Sequence, residues 1–116
     1  MKRFIVMFYD GDMNVADDEW EQVGRESHEV VAEAKAAGVW NFGGGFLAEN
    51  KPFIVSEMGE IVHQALRPES APLGGFAVLT VKDKHEAAEW AAKIARGCRC
   101  SQEVRELIWD DASTVN

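Results

Sequence analysis

Apolar and polar positions alternate along this chain in two different rhythms. Phe4-Ile5-Val6-Met7-Phe8-Tyr9 is an unbroken apolar run ended by Asp10-Gly11-Asp12. It reads as a strand apolar on both faces and closed by turn chemistry. From about Val15 to Ala37 the spacing changes: Trp20, Val23, Ser27, Val30, Val31 and Ala34 recur at helical intervals and form one stripe. Asn14 or Asp17 can cap that helix, Asp17-Asp18-Glu19 suits its positive end, and Gly38 can stop it.

Val39 to Leu47 reads as a second strand with three consecutive glycines, Gly43 to Gly45, before a turn at Asn50-Lys51-Pro52. Phe53 to Ser56 and Ile61 to Gln64 flank Met58-Gly59-Glu60 as a small hairpin, and the Pro- and Gly-bearing stretch Arg67 to Gly75 as a loop. Phe76 to Val81 is the clearest strand. Asp83-Lys84-His85-Glu86 is a capping box opening a helix to about Ala95, stopping near Gly97, with Ala87, Trp90, Ala91 and Ile94 facing its core. Gln102 to Trp109 is the last strand. Residues 1–110 then form a single domain, with 111–116 a frayed tail.

The order β-α-β-hairpin-β-α-β predicts a ferredoxin-like α+β fold, βαββαβ with an inserted hairpin. Two helices cover one face of such a sheet. The first strand, however, offers Phe4, Val6 and Phe8 on one side and Ile5, Met7 and Tyr9 on the other. Each large side chain left in water forgoes about 1.5–3 kcal/mol, so the second face calls for a partner. A second copy, meeting sheet to sheet in a homodimer, is the economical cover.

Composition narrows the partners. A formal charge of −8, with 12 basic residues scattered among 20 acidic ones, speaks against nucleic acid and against an anionic membrane surface. The apolar run after Lys2-Arg3 is too short for a signal-peptide core or a membrane span, so a cytoplasmic protein is expected. Cys98 and Cys100, two residues apart, form a poor disulfide and a poor metal motif, and read as reduced thiols. His28, His63 and His85 lie on separate elements without metal-ligand spacing, so neither a metal nor a cofactor is expected. Gly43-Gly44-Gly45 lacks the Gly-Lys-Ser/Thr and following helix of a phosphate loop, and suits a bulge or a close backbone approach.

Several short stretches resemble the YCII-related family and its DGPF-type branch: Arg25-Glu26-Ser27-His28, Ala36-Ala37-Gly38, Gly44-Gly45, Leu73-Gly74-Gly75-Phe76, Ala88-Glu89-Trp90-Ala91 and Glu103-Val104-Arg105. The name-giving Asp-Gly-Pro-Phe is absent; His63-Gln64-Ala65-Leu66 stands in its place. The resemblance implies a dimeric α+β barrel. It also implies a dyad in which His28 carries a proton and Asp10 orients it, serving proton abstraction, lactone chemistry or halide loss from a small cyclic or aromatic-derived substrate. Arg25, Trp40, Phe42 and His63 are the expected substrate-binding residues.

Each of these residues also has a plainer reading. His28 lies roughly 110° from the centre of the apolar stripe at 100° per residue, a boundary position where an imidazole is often merely solvated. His63 fits an exposed strand position, His85 a helix surface, and Trp40 and Phe42 ordinary packing. Two functions therefore stand open: an enzyme using His28 and Asp10, or a non-catalytic ligand-binding or protein-interaction module.

Overall fold

The computed structural model describes residues 1–114. Its elements run β1 (Lys2–Tyr9), a 3-10 turn at Asp17–Glu19, α1 (Trp20–Ala36), β2 (Trp40–Gly45), β3 (Ile54–Val55), β4 (Ile61–Val62), β5 (Leu73–Val81), α2 (Lys84–Cys98), β6 (Glu103–Leu107) and a 3-10 turn at Asp111–Ser113. The chain is mixed α+β with two sheets: an antiparallel four-stranded sheet in the order β2-β5-β1-β6, and the separate two-stranded hairpin β3-β4. The main sheet is open, with β2 and β6 as its edges, so the dimeric α+β barrel expected from the resemblance is not formed.

Strand alternation divides the side chains between two faces. Phe4 and Val6 of β1 and Ala77, Leu79 and Val81 of β5 are buried with Ala34, Val39, Ala87 and Ala91, and Trp90 and Ile94 pack against this cluster. The core therefore lies between the sheet and both helices. On the opposite face, cross-strand register sets Ile5 beside Val78 and Arg105, with Phe42 next to Val78, and Met7 beside Phe76 and Glu103. Phe42 is 67% exposed there, while Ile5, Phe76 and Val78 are half-buried.

The helices meet where Gly97 lies against Ser27 and Val30, and the Ser27 hydroxyl donates to the Gly97 carbonyl at 3.3 Å. Arg99 donates to Glu26 across the same junction and holds that carboxyl below its usual range. Gly97 is thus a packing residue inside α2. The helix ends only at Arg99, whose left-handed backbone (φ 59°) makes the turn. Asp83 caps α2 as expected, its carboxylate accepting from the Glu86 N–H at 2.9 Å, and Gly38 (φ 75°) stops α1.

Other boundaries moved. The start of α1 is preceded by a 3-10 turn in which Glu19 accepts from the Ala16 N–H, so neither Asn14 nor Asp17 caps it, and Trp20 overhangs the core at 51% exposure. The expected loop to Gly75 ends at Pro72, because Leu73-Gly74-Gly75 pair into β5. The expected last strand is cut at Leu107. Beyond it the chain is no frayed tail through Thr114: Trp109 packs on the Arg3 guanidinium, which donates to the Thr114 hydroxyl, and Asp110 caps the final turn.

Between β2 and β5 the chain leaves the domain as an arm, residues 46–72, whose hairpin barely touches any other element. Among the described residues, more than half of the exposed large apolar side chains belong to this arm. The Cα radius of gyration is 15.8 Å, where a compact domain of this length has roughly 13 Å.

Two glycines provide a test of the sheet. A Cβ on Gly43 would stand 2.5 Å from the Phe76 carbonyl oxygen and 2.8 Å from the Ala77 Cα, backbone atoms that cannot step aside, whereas a Cβ on Gly44 would meet nothing within 4 Å. Denaturant unfolding of Gly43→Ala is expected to show a loss of about 1–3 kcal/mol, as overpacking does. Gly44→Ala should stay within about 0.5 kcal/mol of the parent, and equal effects would contradict the packing described.

Candidate functional site

The glycines of β2 and β5 shape a cleft. Phe8 lies opposite Gly75, and its ring covers Gly74 and Gly75, where an added Cβ would come within 2.7 Å of it. Likewise the Trp40 ring lies over Gly43, 2.9 Å from where a Cβ would be. Register puts Gly43 and Gly45 on the helix-bearing face. With no side chains there, the edge of the sheet cannot fill the space beneath α1. A cleft of about 560 Å³ results, lined mainly by apolar groups including Val6, Phe8, Trp40, Ala77 and Ile94. This is the physical role of the glycine run: close approach, with a register shift between Trp40 and Phe42.

The cleft also explains α1. Ser27, Val30 and Val31 of the expected core stripe are only half-buried, because they line this space rather than pack on the sheet. Polar groups at the cleft are His28, Lys35, Gln102, the Ser27 hydroxyl and the Cys98 thiol. His28 is exposed, and its imidazole makes no hydrogen bond or ion pair among the described residues.

A second cleft, about 740 Å³, lies at the base of the arm and is lined by Asp10, Phe46, Lys51, His63, Arg67 and Leu73, among others. The expected site residues therefore divide. His28 and Trp40 share the cleft under α1, which Phe42 borders from edge strand β2 although its register sets it on the other face; Asp10 and His63 share the arm-base cleft; Arg25 is exposed on α1 and lines neither. No hydrogen bond joins His28 to Asp10, and at the second cleft the Phe53 and His63 rings stand 6.1 Å apart. His85 is paired with Glu89 on the surface of α2 at 2.9 Å.

The residues missed in sequence were Lys35 and Cys98. Both fall within helical turns of residues that were singled out, Lys35 seven places after His28, and a helical wheel extended to polar positions would have shown it. Among the described residues no group of His, Cys, Asp and Glu could hold a metal ion, and no helix is long and apolar enough to cross a membrane.

No known family model matches the chain, and no curated protein is significantly similar to it. Together with the open sheet, this overturns the resemblance to the YCII-related family and its DGPF-type branch. The short stretches that carried it have local explanations instead: Leu73-Gly74-Gly75-Phe76 makes room for the Phe8 ring, and Gly38 ends a helix.

The surroundings of both half-buried thiols disfavour the thiolate. Burial raises the Cys98 thiol, with a Ser27 hydroxyl contact at 4.0 Å opposing it only in part. Burial, then the nearness of Cys98 and Asp12, pushes Cys100 up to about 11. Since the thiolate is the nucleophile, alkylation of the native protein should keep accelerating to about pH 11, well past an ordinary cysteine. The unfolded chain releases these protons first, so stability should decline as pH rises between the ordinary thiol value and that limit. A plateau in native alkylation rate near pH 9, where an ordinary thiol is already ionised, would contradict this half-buried placement.

Proposed function

We propose that this protein is a non-catalytic small-ligand-binding module, acting as a homodimer, and that its ligand is a small acid with an apolar body held in the cleft under α1. The observation that carries the reading is the cleft itself: about 560 Å³ of mostly apolar lining with Lys35 and His28 beside it. Ligand pockets are typically apolar, of roughly 300–1,000 Å³, with a few polar groups that fix orientation. The apolar floor takes the body of the ligand, and the Lys35 ammonium and His28 imidazole take its carboxylate.

The non-catalytic form is favoured over a proton-transfer enzyme because His28 and Asp10 line different clefts. An imidazole that moves protons needs a partner to fix its tautomer. The homodimer is supported by the sheet face away from the helices, where Ile5, Phe76 and Val78 are half-buried and Phe42 is exposed.

Thermal-shift and calorimetric screening with small aromatic and cyclic acids should find stabilising ligands. Their neutral amides should bind more weakly, and Lys35→Ala should cost about 10- to 100-fold in affinity, the worth of a charge-assisted hydrogen bond. Equal binding of acid and amide, or no stabilisation by any acid, would defeat the assignment. Turnover of a lactone that disappears in both His28→Ala and Asp10→Ala would restore the enzyme reading.

A further inference from the structure

We propose that residues 46–72 form an exchange arm, and that the hairpin β3-β4 packs over the uncovered sheet face of a second copy of this chain. The inference deepens the homodimer reading and rests on it.

The hairpin is in an unstable position by itself. A two-stranded sheet is marginal in water unless one face is packed, and β3-β4 has almost no contact with the rest of its own domain. Register puts Val55 opposite Ile61, and Phe53, two places back, on the same face. Those three side chains are 56–59% exposed, and with His63 opposite Phe53 they make up a largely apolar, exposed face of the hairpin. The chain is also more extended than a compact domain, 15.8 Å in radius of gyration against roughly 13 Å.

The complementary surface is in the same molecule. The sheet face away from the helices carries Ile5, Met7, Val78, Phe76 and Phe42 in adjoining strands; Met7 is buried, Ile5, Phe76 and Val78 are half-buried, and Phe42 is exposed. The ring of Phe46, at the root of the arm, lies 6.2 Å from the Phe76 ring, and that of Phe42 lies 6.0 Å from it. Apolar surface thus runs without a break from the sheet into the arm. In a twofold pair each arm covers the other's sheet, so one operation removes both bare surfaces.

Charge points the same way. The hairpin tip carries Glu57 and Glu60, while the sheet margin beside Ile5 carries Arg105, and none of the three has an ion-pair partner among the described residues. Glu103, the acidic neighbour on that margin, is already engaged by the Tyr9 hydroxyl at 2.9 Å, which raises the phenol. An acidic tip reaching toward an arginine at the far rim fixes the direction of the arm. A foreign partner would need to supply an apolar sheet and a basic rim that this chain already has.

Cross-linking of the full chain in a Cys98→Ser, Cys100→Ser background tests this directly. One preparation carries Val55→Cys, another Val78→Cys, and a third carries both. Mixing the first two under mild oxidation should give a covalent dimer on non-reducing gels, more than tenfold above either alone. Val55→Glu with Ile61→Glu, on surface already in water, should raise the dimer dissociation constant at least tenfold in a sedimentation dilution series while the circular dichroism stays the same. A disulfide within one chain of the third preparation would show the arm folding onto its own sheet and overturn the proposal. A parent dimer unaffected by the arm substitutions would overturn the arm and leave the sheet-to-sheet dimer standing. A parent chain that is monomeric at every concentration would overturn both.

Discussion

The organisation of this protein follows from one mismatch: its central strands are apolar on both faces, while its two helices lie on one. Phe4, Val6, Leu79 and Val81 are sealed beneath α1 and α2. Ile5, Phe76 and Val78, interleaved with them along the same strands, are turned the other way. Strand geometry forces this, since successive side chains point to opposite faces. A strand buried on one face only would alternate apolar and polar residues; these do not. The cost is modest at each position but accumulates over β1, β2 and β5, at about 25 cal/mol per Å² of apolar surface left wet. Every other feature of the molecule either relieves this mismatch or leaves it visible.

On the helix-bearing face the dominant device is the removal of side chains. Gly43, Gly74 and Gly75 are positions where a methyl group would collide with backbone or with an aromatic ring. They let the Trp40 and Phe8 rings approach the sheet backbone closely, and the volume they leave empty becomes the cleft. A core packed to ordinary density has few voids larger than a water molecule. An apolar opening of several hundred Å³ under a helix whose Val30 and Val31 stay half-buried is therefore a feature the sequence builds.

Much of this was legible in the sequence, and the failures are instructive. The apolar run of β1, the helical spacing from Val23 to Ala34, the Asp83 cap and the Gly38 stop are local signals, and local structure obeyed them. Where tertiary contact decides, pattern reading failed. Gly97 looked like a helix stop but lies inside α2, buried beside Ser27 and Val30, and the helix ends only at Arg99. The stretch to Gly75 looked like a loop because glycines there serve a ring on a neighbouring strand, not a turn. The stripe residues Ser27, Val30 and Val31 looked like core because periodicity reports a face and not what stands opposite it. The family resemblance failed for a related reason. Short Gly-containing strings recur wherever strands approach closely or helices end, so their order along a chain is weak evidence of descent.

The same reasoning bears on how the candidate residues should be weighed. His28 and Asp10 were linked in sequence by a role, and the fold separates them into two clefts, one under α1 and one at the base of the arm. What Asp10 shares instead is a wall with His63, Lys51 and Arg67, where basic side chains gather on a chain carrying a net −8. That cleft is formed largely by the arm, so its shape depends on where the arm lies. The cleft under α1 is formed by β1, β2, β5 and both helices, whose strands pair along most of their length. A binding site gains from groups held in place before the ligand arrives, and the cleft under α1 is built on the paired strands of the main sheet. Its apolar floor and its neighbouring Lys35 are therefore the stronger basis for the proposed ligand site, and the arm for the proposed association.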